Sequence, residues 1–275
     1  MSAEAQVAKH YTRGSLEEKI LRALAQAGKD IARLSAEDLS PVDEFHVGGL
    51  ESTEELSTRM ELNPGLQLLD VGCGIGGPAR YFASAHGCNV TGIDLTDEFV
   101  QVATSLTRLV KLDHLAKFRQ ASALELPFEP GTFDRAYMIH VGMNIADKAG
   151  VYREVRRALK PDGLFVVFDI LRIADGPIHY PVPWAPSQET SFVDKLVAYR
   201  GALEGAGFQI VEERGRGAYA IEFTERALAR MAQTGPPALG LHLLMGEQAP
   251  TMAKNILVAM QQRVLEPVEL FARPV

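Results

Sequence analysis

The chain has 275 residues, 47% of them hydrophobic, enough for one sizeable core and a small appended lobe. A formal net charge of −7 argues against binding a phosphate backbone, because nucleic-acid binders carry basic faces. The two cysteines, Cys73 and Cys88, make no disulfide framework and fit a reducing cytoplasm, and no His/Cys cluster has metal-ligand spacing, so no metal is expected.

The start, "MSAEAQVAKHY", lacks the apolar centre of a signal peptide, and no apolar run approaches the length of a membrane span. Residues 1–62 read as short helices. "SLEEKILRALAQAG" opens with a capping box, Ser15 with Glu18, puts Leu16, Ile20, Leu21 and Leu24 on one face, and stops at Gly28. Ser35 and Ser52 repeat the start signal, and "NPG" at 63–65 is a turn and a boundary. From Leu66 the pattern alternates: "LQLLDVG", "NVTGIDL", "AKFRQAS", "FDRAYMIHV", "LFVVFDIL" and "FQIVEERG" read as strands. "GPARYFASAHG", "DEFVQVATSLTRLVKL", "ADKAGVYREVRRALKPDG" and "SFVDKLVAYRGALEGAG" read as helices, and the cations of "RRALK" suit a helix end. Such alternation implies an α/β fold, Rossmann-like, with a mostly parallel sheet covered by helices on both faces. Residues 222–262 read as a helical insertion before a seventh strand, "PVELFAR". The expected organisation is a helical lid at 1–62 and a core at 63–275, with the insertion as the other candidate for the lid.

The bare loop in "LLDVGCGIGG" follows the first strand, where ligands sit in such sheets. Gly72, Gly74, Gly76 and Gly77 remove side chains so that backbone can approach a ligand, and the next helix points free N–H groups the same way. Gly72, Gly74 and Gly77 also satisfy the dinucleotide pattern G-x-G-x-x-G, which is weak alone. Asp70, two residues before the first glycine, would repel a pyrophosphate and suits an ammonium; its plain reading is a loop cap.

"LLDVGCGIGG", "VTGIDLT", "ALELPF", "FDRAYMIH" and "ALKPDGLFVVFD" together resemble, in order and spacing, a class I S-adenosylmethionine-dependent methyltransferase over about residues 66–215. "HYT" at 10–12, "DEFHVGGLEST" at 43–53 and "HVGMNIADK" at 140–148 are similar to the lid and strand-end segments of phosphoethanolamine and sarcosine/dimethylglycine methyltransferases. The resemblance implies S-adenosylmethionine as cofactor, leaving as S-adenosylhomocysteine. It implies that Asp94 takes the ribose hydroxyls, Asp70 and the glycine loop hold the methionine end, Leu95 packs on adenine, and Ser122 and Ala123 meet the adenine edge. Many relatives carry an aspartate where Ser122 stands; a serine accepts a hydrogen bond without charge assistance.

The resemblance also implies a catalytic pair, Tyr11 and His140, facing each other across the transferred methyl, with His140 titrating near neutrality as a base. The plain reading of His140 is a hydrogen-bonded structural residue. His46 and Asn144 are candidates on the acceptor side. Trp184, the single tryptophan, either packs its own loop or walls the acceptor pocket. Cys73 reads as a small loop filler. The expected function is in-line methyl transfer to a small molecule, an amine first, with a thioether, hydroxyl, carboxyl or carbon acceptor open. A phosphobase is disfavoured because residues 172–190 carry one full cation, Arg172. A nicotinamide oxidoreductase and a non-catalytic binding protein are the rivals from other classes. Neither nucleic acid nor membrane is an expected partner.

Overall fold

The computed structural model describes residues 3–12 and 14–275. Four helices precede the sheet: α1 (Ala3–Tyr11), α2 (Leu16–Gln26), α3 (Ala36–Asp43) and α4 (Gly49–Arg59). The core then runs β1 (Gln67–Val71), α5 (Gly77–His86), β2 (Asn89–Asp94), α6 (Asp97–Leu109), β3 (Ala116–Gln120) and β4 (Phe133–Ile139). It continues through α7 (Lys148–Ala158), β5 (Leu159–Arg172), α8 (Leu196–Gly205) and β6 (Phe208–Gly215). The insertion forms α9 (Gly217–Thr234), α10 (His242–Met245) and α11 (Ala249–Gln261) before β7 (Leu265–Pro274).

The strands form one sheet in the order β3-β2-β1-β4-β5-β7-β6. All pairings are parallel except those of β7, which runs antiparallel to β5 and β6. From β1 the chain builds outward first to β2 and β3, then on the other side to β4 and β5. The crevice therefore opens between the carboxyl ends of β1 and β4. Register sets Asp70 of β1 beside Gly92 of β2 and Tyr137 of β4.

Both faces of the sheet are covered, which is why the central strands read as apolar runs. Val151, Tyr152 and Val155 of α7 and Tyr199 and Leu203 of α8 pack on one face. Ala79 and Phe82 of α5, with Leu56 of α4 and Met60, pack on the other. A further layer joins the two ends of the chain. Leu16, Ile20 and Leu24 of α2 and Leu39 and Val42 of α3 meet Phe99, Val102 and Leu106 of α6 and Leu239 and Leu244 of the insertion. Full burial of a leucine or isoleucine contributes about 1.5–3 kcal/mol, so these contacts bind the N-terminal helices firmly to the core.

Several boundaries differ from expectation for local reasons. Ser15 sits in the left-handed region (φ 53°) and makes no capping bond. The Glu98 carboxylate accepts the Gly14 and Leu16 N–H groups instead, at 3.0 and 3.1 Å, so a partner in α6 replaces the local cap. A capping box does form at Ser35, with Asp38 as its partner. The α4 helix starts at Gly49, so Ser52 lies inside it, buried. Residues 159–163 leave the helix before the expected stop because Leu159 pairs with Phe133 in the sheet. The insertion's first helix begins at Gly217, earlier than expected.

Candidate active site

A cavity of about 790 Å³ lies over the carboxyl ends of β1, β2 and β4, roofed by α1, the 41–47 segment and the insertion. Asp70, Gly72, Gly74, Asp94, Leu95, Ser122 and Ala123 line one part of it. Tyr11, His46, His140, Asn144 and Trp184 line the remainder. Gly76 and Gly77 are the exceptions among the expected residues. Gly76 stands at the N-cap of α5 with φ 85°, and a Cβ there would run into Phe118 and Arg80. Its missing side chain serves packing beneath the loop. At Gly74 (φ 53°) a Cβ would meet nothing within 4 Å, so this backbone faces open cavity.

Asp70 is 3% exposed, and its Oδ2 has no hydrogen-bond partner. Burial, reinforced by the Asp94 charge, pushes its carboxyl up to about 8. A buried carboxyl oxygen left without a partner in a cavity wall suits a cationic donor. Asp94 is half-buried at the end of β2. Its Oδ2 accepts the Gly74 N–H at 2.9 Å and its Oδ1 the Thr96 N–H at 2.8 Å. These bonds fix the carboxylate and leave a lone pair on each oxygen for two adjacent hydroxyls. Burial raises it to about 6.

The opposite part of the site carries histidines. His140 follows β4 in the left-handed region (φ 54°). Its N–H donates to the Phe168 carbonyl at 2.7 Å, and its ring packs on Phe168 at 4.9 Å between centroids. Nε2 is buried without a partner. Burial and then the neighbouring His46 hold the imidazole well below the usual histidine range. The expectation that it titrates near neutrality is therefore corrected: it stays neutral. His46 lies 6.0 Å from His140 between ring centroids, and burial pushes it down to about 4. The Thr53 hydroxyl donates to Glu44 at 2.6 Å and lies 3.2 Å from His46 Nε2. Burial and the Asp43 charge raise Glu44 to about 8.

The Tyr11 hydroxyl donates to Asn144 Oδ1 at 3.1 Å, and its ring lies 5.6 Å from Phe99 between centroids. The hydroxyl is thus directed to Asn144, another of the residues the sequence singled out. Trp184 is buried, donates Nε1–H to Ser191 at 2.9 Å, and presents its ring to the cavity. The Ser122 hydroxyl donates to the Glu4 carboxylate of α1 and accepts the Leu124 N–H at 3.1 Å. Cys73 is buried with its thiol raised well above the usual range, which fits a loop filler.

Two supports had no role in the sequence reading. Asp169, fully buried in β5, accepts the Val141 and Gly142 N–H groups at 2.8 and 2.9 Å and the Tyr199 hydroxyl at 3.1 Å. It holds the turn that carries His140, and its signal was a lone acid within "LFVVFDIL". Arg80, 1% exposed, donates to Asp43 and to the Ile75 carbonyl, both at 2.7 Å. It thereby ties the roof segment to the glycine loop.

The sheet order and the helices on both faces are those of a Rossmann-like α/β fold. Residues 69–167 match the family model described as a methyltransferase domain. The sterol 24-C-methyltransferase of Schizosaccharomyces pombe is 38% identical over 114 residues, covering 42% of this chain and 30% of that one. The 2-methyl-6-phytyl-1,4-hydroquinone methyltransferase of Synechocystis is 44% identical over 108 residues, covering 39% and 33%. The matched stretches thus span less than half of these curated relatives. The structure of Haemonchus contortus phosphoethanolamine N-methyltransferase 2 with S-adenosyl-L-methionine superposes with a TM-score of 0.74, at 20% identity, over 100% of this chain and 60% of that one. Among the described residues no helix is long and apolar enough to cross a membrane, and no group of His, Cys, Asp or Glu is arranged to hold a metal.

One expected outcome follows from Asp94. Asp94→Ala should raise the dissociation constant for S-adenosylhomocysteine about 10-fold or more, since each lost hydrogen bond to a charged group costs about 1.5–3 kcal/mol. Calorimetry on the folded variant checks this, and unchanged affinity would remove Asp94 from the ribose site.

Proposed function

We propose that this protein transfers the methyl group of S-adenosylmethionine to a small, largely apolar acceptor by in-line displacement. The observation that carries the reading is the buried Asp70 carboxyl, whose Oδ2 has no partner, beside the open Gly74 backbone. It suits the ammonium of the cofactor's methionine end and would repel a dinucleotide's pyrophosphate. When bound, the cofactor supplies an electrophilic sulfonium methyl. Asp94 would hold the ribose, and Leu95 would pack on the base. The roof would exclude water, and the walls would hold the acceptor in line.

The acceptor side is walled by Met143, Ile170, Trp184, Phe223, Met231 and Ile256. That surface favours a lipophilic molecule. The two curated relatives, named for a sterol and a phytyl hydroquinone, support the same class. The amine expected first has no specific support in this wall. A phosphobase is further disfavoured because Arg172 is engaged by the Gly176 carbonyl of its own loop, at 2.8 Å. An acceptor oxygen or carbon becomes acidic once methylated, so the weak, neutral base His140 suffices to remove its proton.

The cofactor reading is tested by proton linkage. Near pH 7 the raised Asp70 carboxyl is mostly protonated. An ammonium beside it favours the charged form, so binding of S-adenosylhomocysteine should release protons. Affinity should then rise with pH up to about 8. Calorimetry in buffers of different ionisation enthalpy reads this directly. Asp70→Asn should abolish most of the release, and a wild-type protein that binds without any release would remove Asp70 from the ammonium site. For the acceptor, labelled methyl transfer should favour quinols, prenyl compounds and sterols over small amines; the reverse order would restore the amine.

A further inference from the structure

We propose that Glu4 on α1 is the hydrogen-bond acceptor for the exocyclic amino group of adenine, so that the N-terminal helix itself reads the base. The inference rests on the cofactor reading above. It begins with the order of groups along the edge of the sheet. In the sequence β1, β2, β3 across the sheet, Asp70 ends the first strand, Asp94 the second, and residues 121–124 follow the third. A ligand with its ammonium at Asp70 and its ribose at Asp94 must continue toward 121–124 with its base.

The side chains from the sheet offer that base little to recognise. Leu95, Ala121, Ala123 and Leu124 are apolar. The Ser122 hydroxyl has one proton, and it is given to Glu4; one of its lone pairs is taken by the Leu124 N–H. Adenine's amino group is a donor and needs an acceptor. A carboxylate offers about four acceptor sites, and the Ser122 hydroxyl uses one of those on Glu4. Glu4 lines the same cavity and is fixed at the base end by that bond.

Helical geometry gives the contact a second meaning. Glu4, Val7 and Tyr11 are spaced by three and four residues on α1, so they share one face, and all three line the cavity. The helix therefore lies across the cavity with Glu4 at the base end and Tyr11, bonded to Asn144, at the acceptor end. Docking of Glu4 on the base seats the same helix that closes the acceptor side.

The test is a pair of ligands and a pair of proteins, read by equilibrium binding. S-adenosylhomocysteine presents an amino donor, whereas S-inosylhomocysteine presents a carbonyl oxygen that a carboxylate would repel. Wild-type protein should prefer the adenine ligand by about 10-fold or more. Glu4→Ala should weaken the adenine ligand about 10-fold and leave the inosine ligand unchanged or tighter. Glu4→Gln, which keeps an acceptor without the charge, should fall between. Equal weakening of both ligands, or no change in either, would overturn the role of Glu4 while leaving the cofactor reading intact. Wild-type protein that binds neither ligand would overturn both.

Discussion

His140→Asn should lower turnover at saturating acceptor by about 10²–10⁴, the usual cost of removing a general base, while the dissociation constant for S-adenosylhomocysteine changes less than about 3-fold. The substitution is chosen for the backbone: His140 has φ 54°, and asparagine tolerates the left-handed region better than most residues. The expectation rests on a neutral ring whose Nε2 is buried without a partner at the cavity wall. It carries a pH signature. Because burial holds the imidazole well below its ordinary range, the base form persists as pH falls, and His140 should impose no loss of rate between pH 8 and pH 6. Single-turnover kinetics with a proton-bearing acceptor checks both points. Near-normal turnover in the variant would make His140 structural and leave catalysis to positioning.

Arg80→Met should destabilise the fold by about 3–5 kcal/mol, because it strands Asp43 as an unpaired buried carboxylate. The guanidinium also donates to the Ile75 carbonyl, the Ala103 carbonyl and the Thr107 hydroxyl, so those acceptors are orphaned too. Thermal unfolding should move down by on the order of 10 °C. The double variant Asp43→Asn with Arg80→Met should lose less than the sum of the two single changes, since the charge is then absent. Additive losses would show that the pair is not coupled. Asp43 ends α3 and is followed by Glu44, Phe45 and His46, so a weakened pair should also lower affinity for S-adenosylhomocysteine by loosening the roof.

What the sequence by itself determined is local in origin. Apolar runs such as "LFVVFDIL" and "LQLLDVG", each bounded by glycine, proline or a helical pattern, suffice for strands buried on both faces. Gly87 ends α5 in the left-handed region, as its place after an amphipathic run requires. The glycine loop with Asp70 before it and Asp94 at the next strand end is a motif with fixed spacing, and Asp70, Gly72, Gly74 and Asp94 do line one cavity. Gly76 departs because spacing cannot tell a glycine that faces a ligand from one that makes room for Phe118.

What only the tertiary structure decided depends on partners distant in the chain. Ser15 and Glu18 satisfy a capping pattern, yet Ser15 sits in the left-handed region and a carboxylate 83 residues on, Glu98, holds the flanking Gly14 and Leu16 N–H groups. Tyr11 finds Asn144, Ser122 finds Glu4, and Arg80 finds Asp43. No local periodicity encodes such pairs. The protonation of His140 belongs here as well. A histidine in a sequence carries its ordinary pKa, and only burial against Phe168 and His46 moves it, because a charge costs far more in a dry site than in water. The cavity residues at the strand ends could be anticipated because each lies where a strand of the alternating pattern stops. How α1, the 41–47 segment, the loop with Trp184 and the insertion meet as one wall was not legible, because they come together only when the chain is folded.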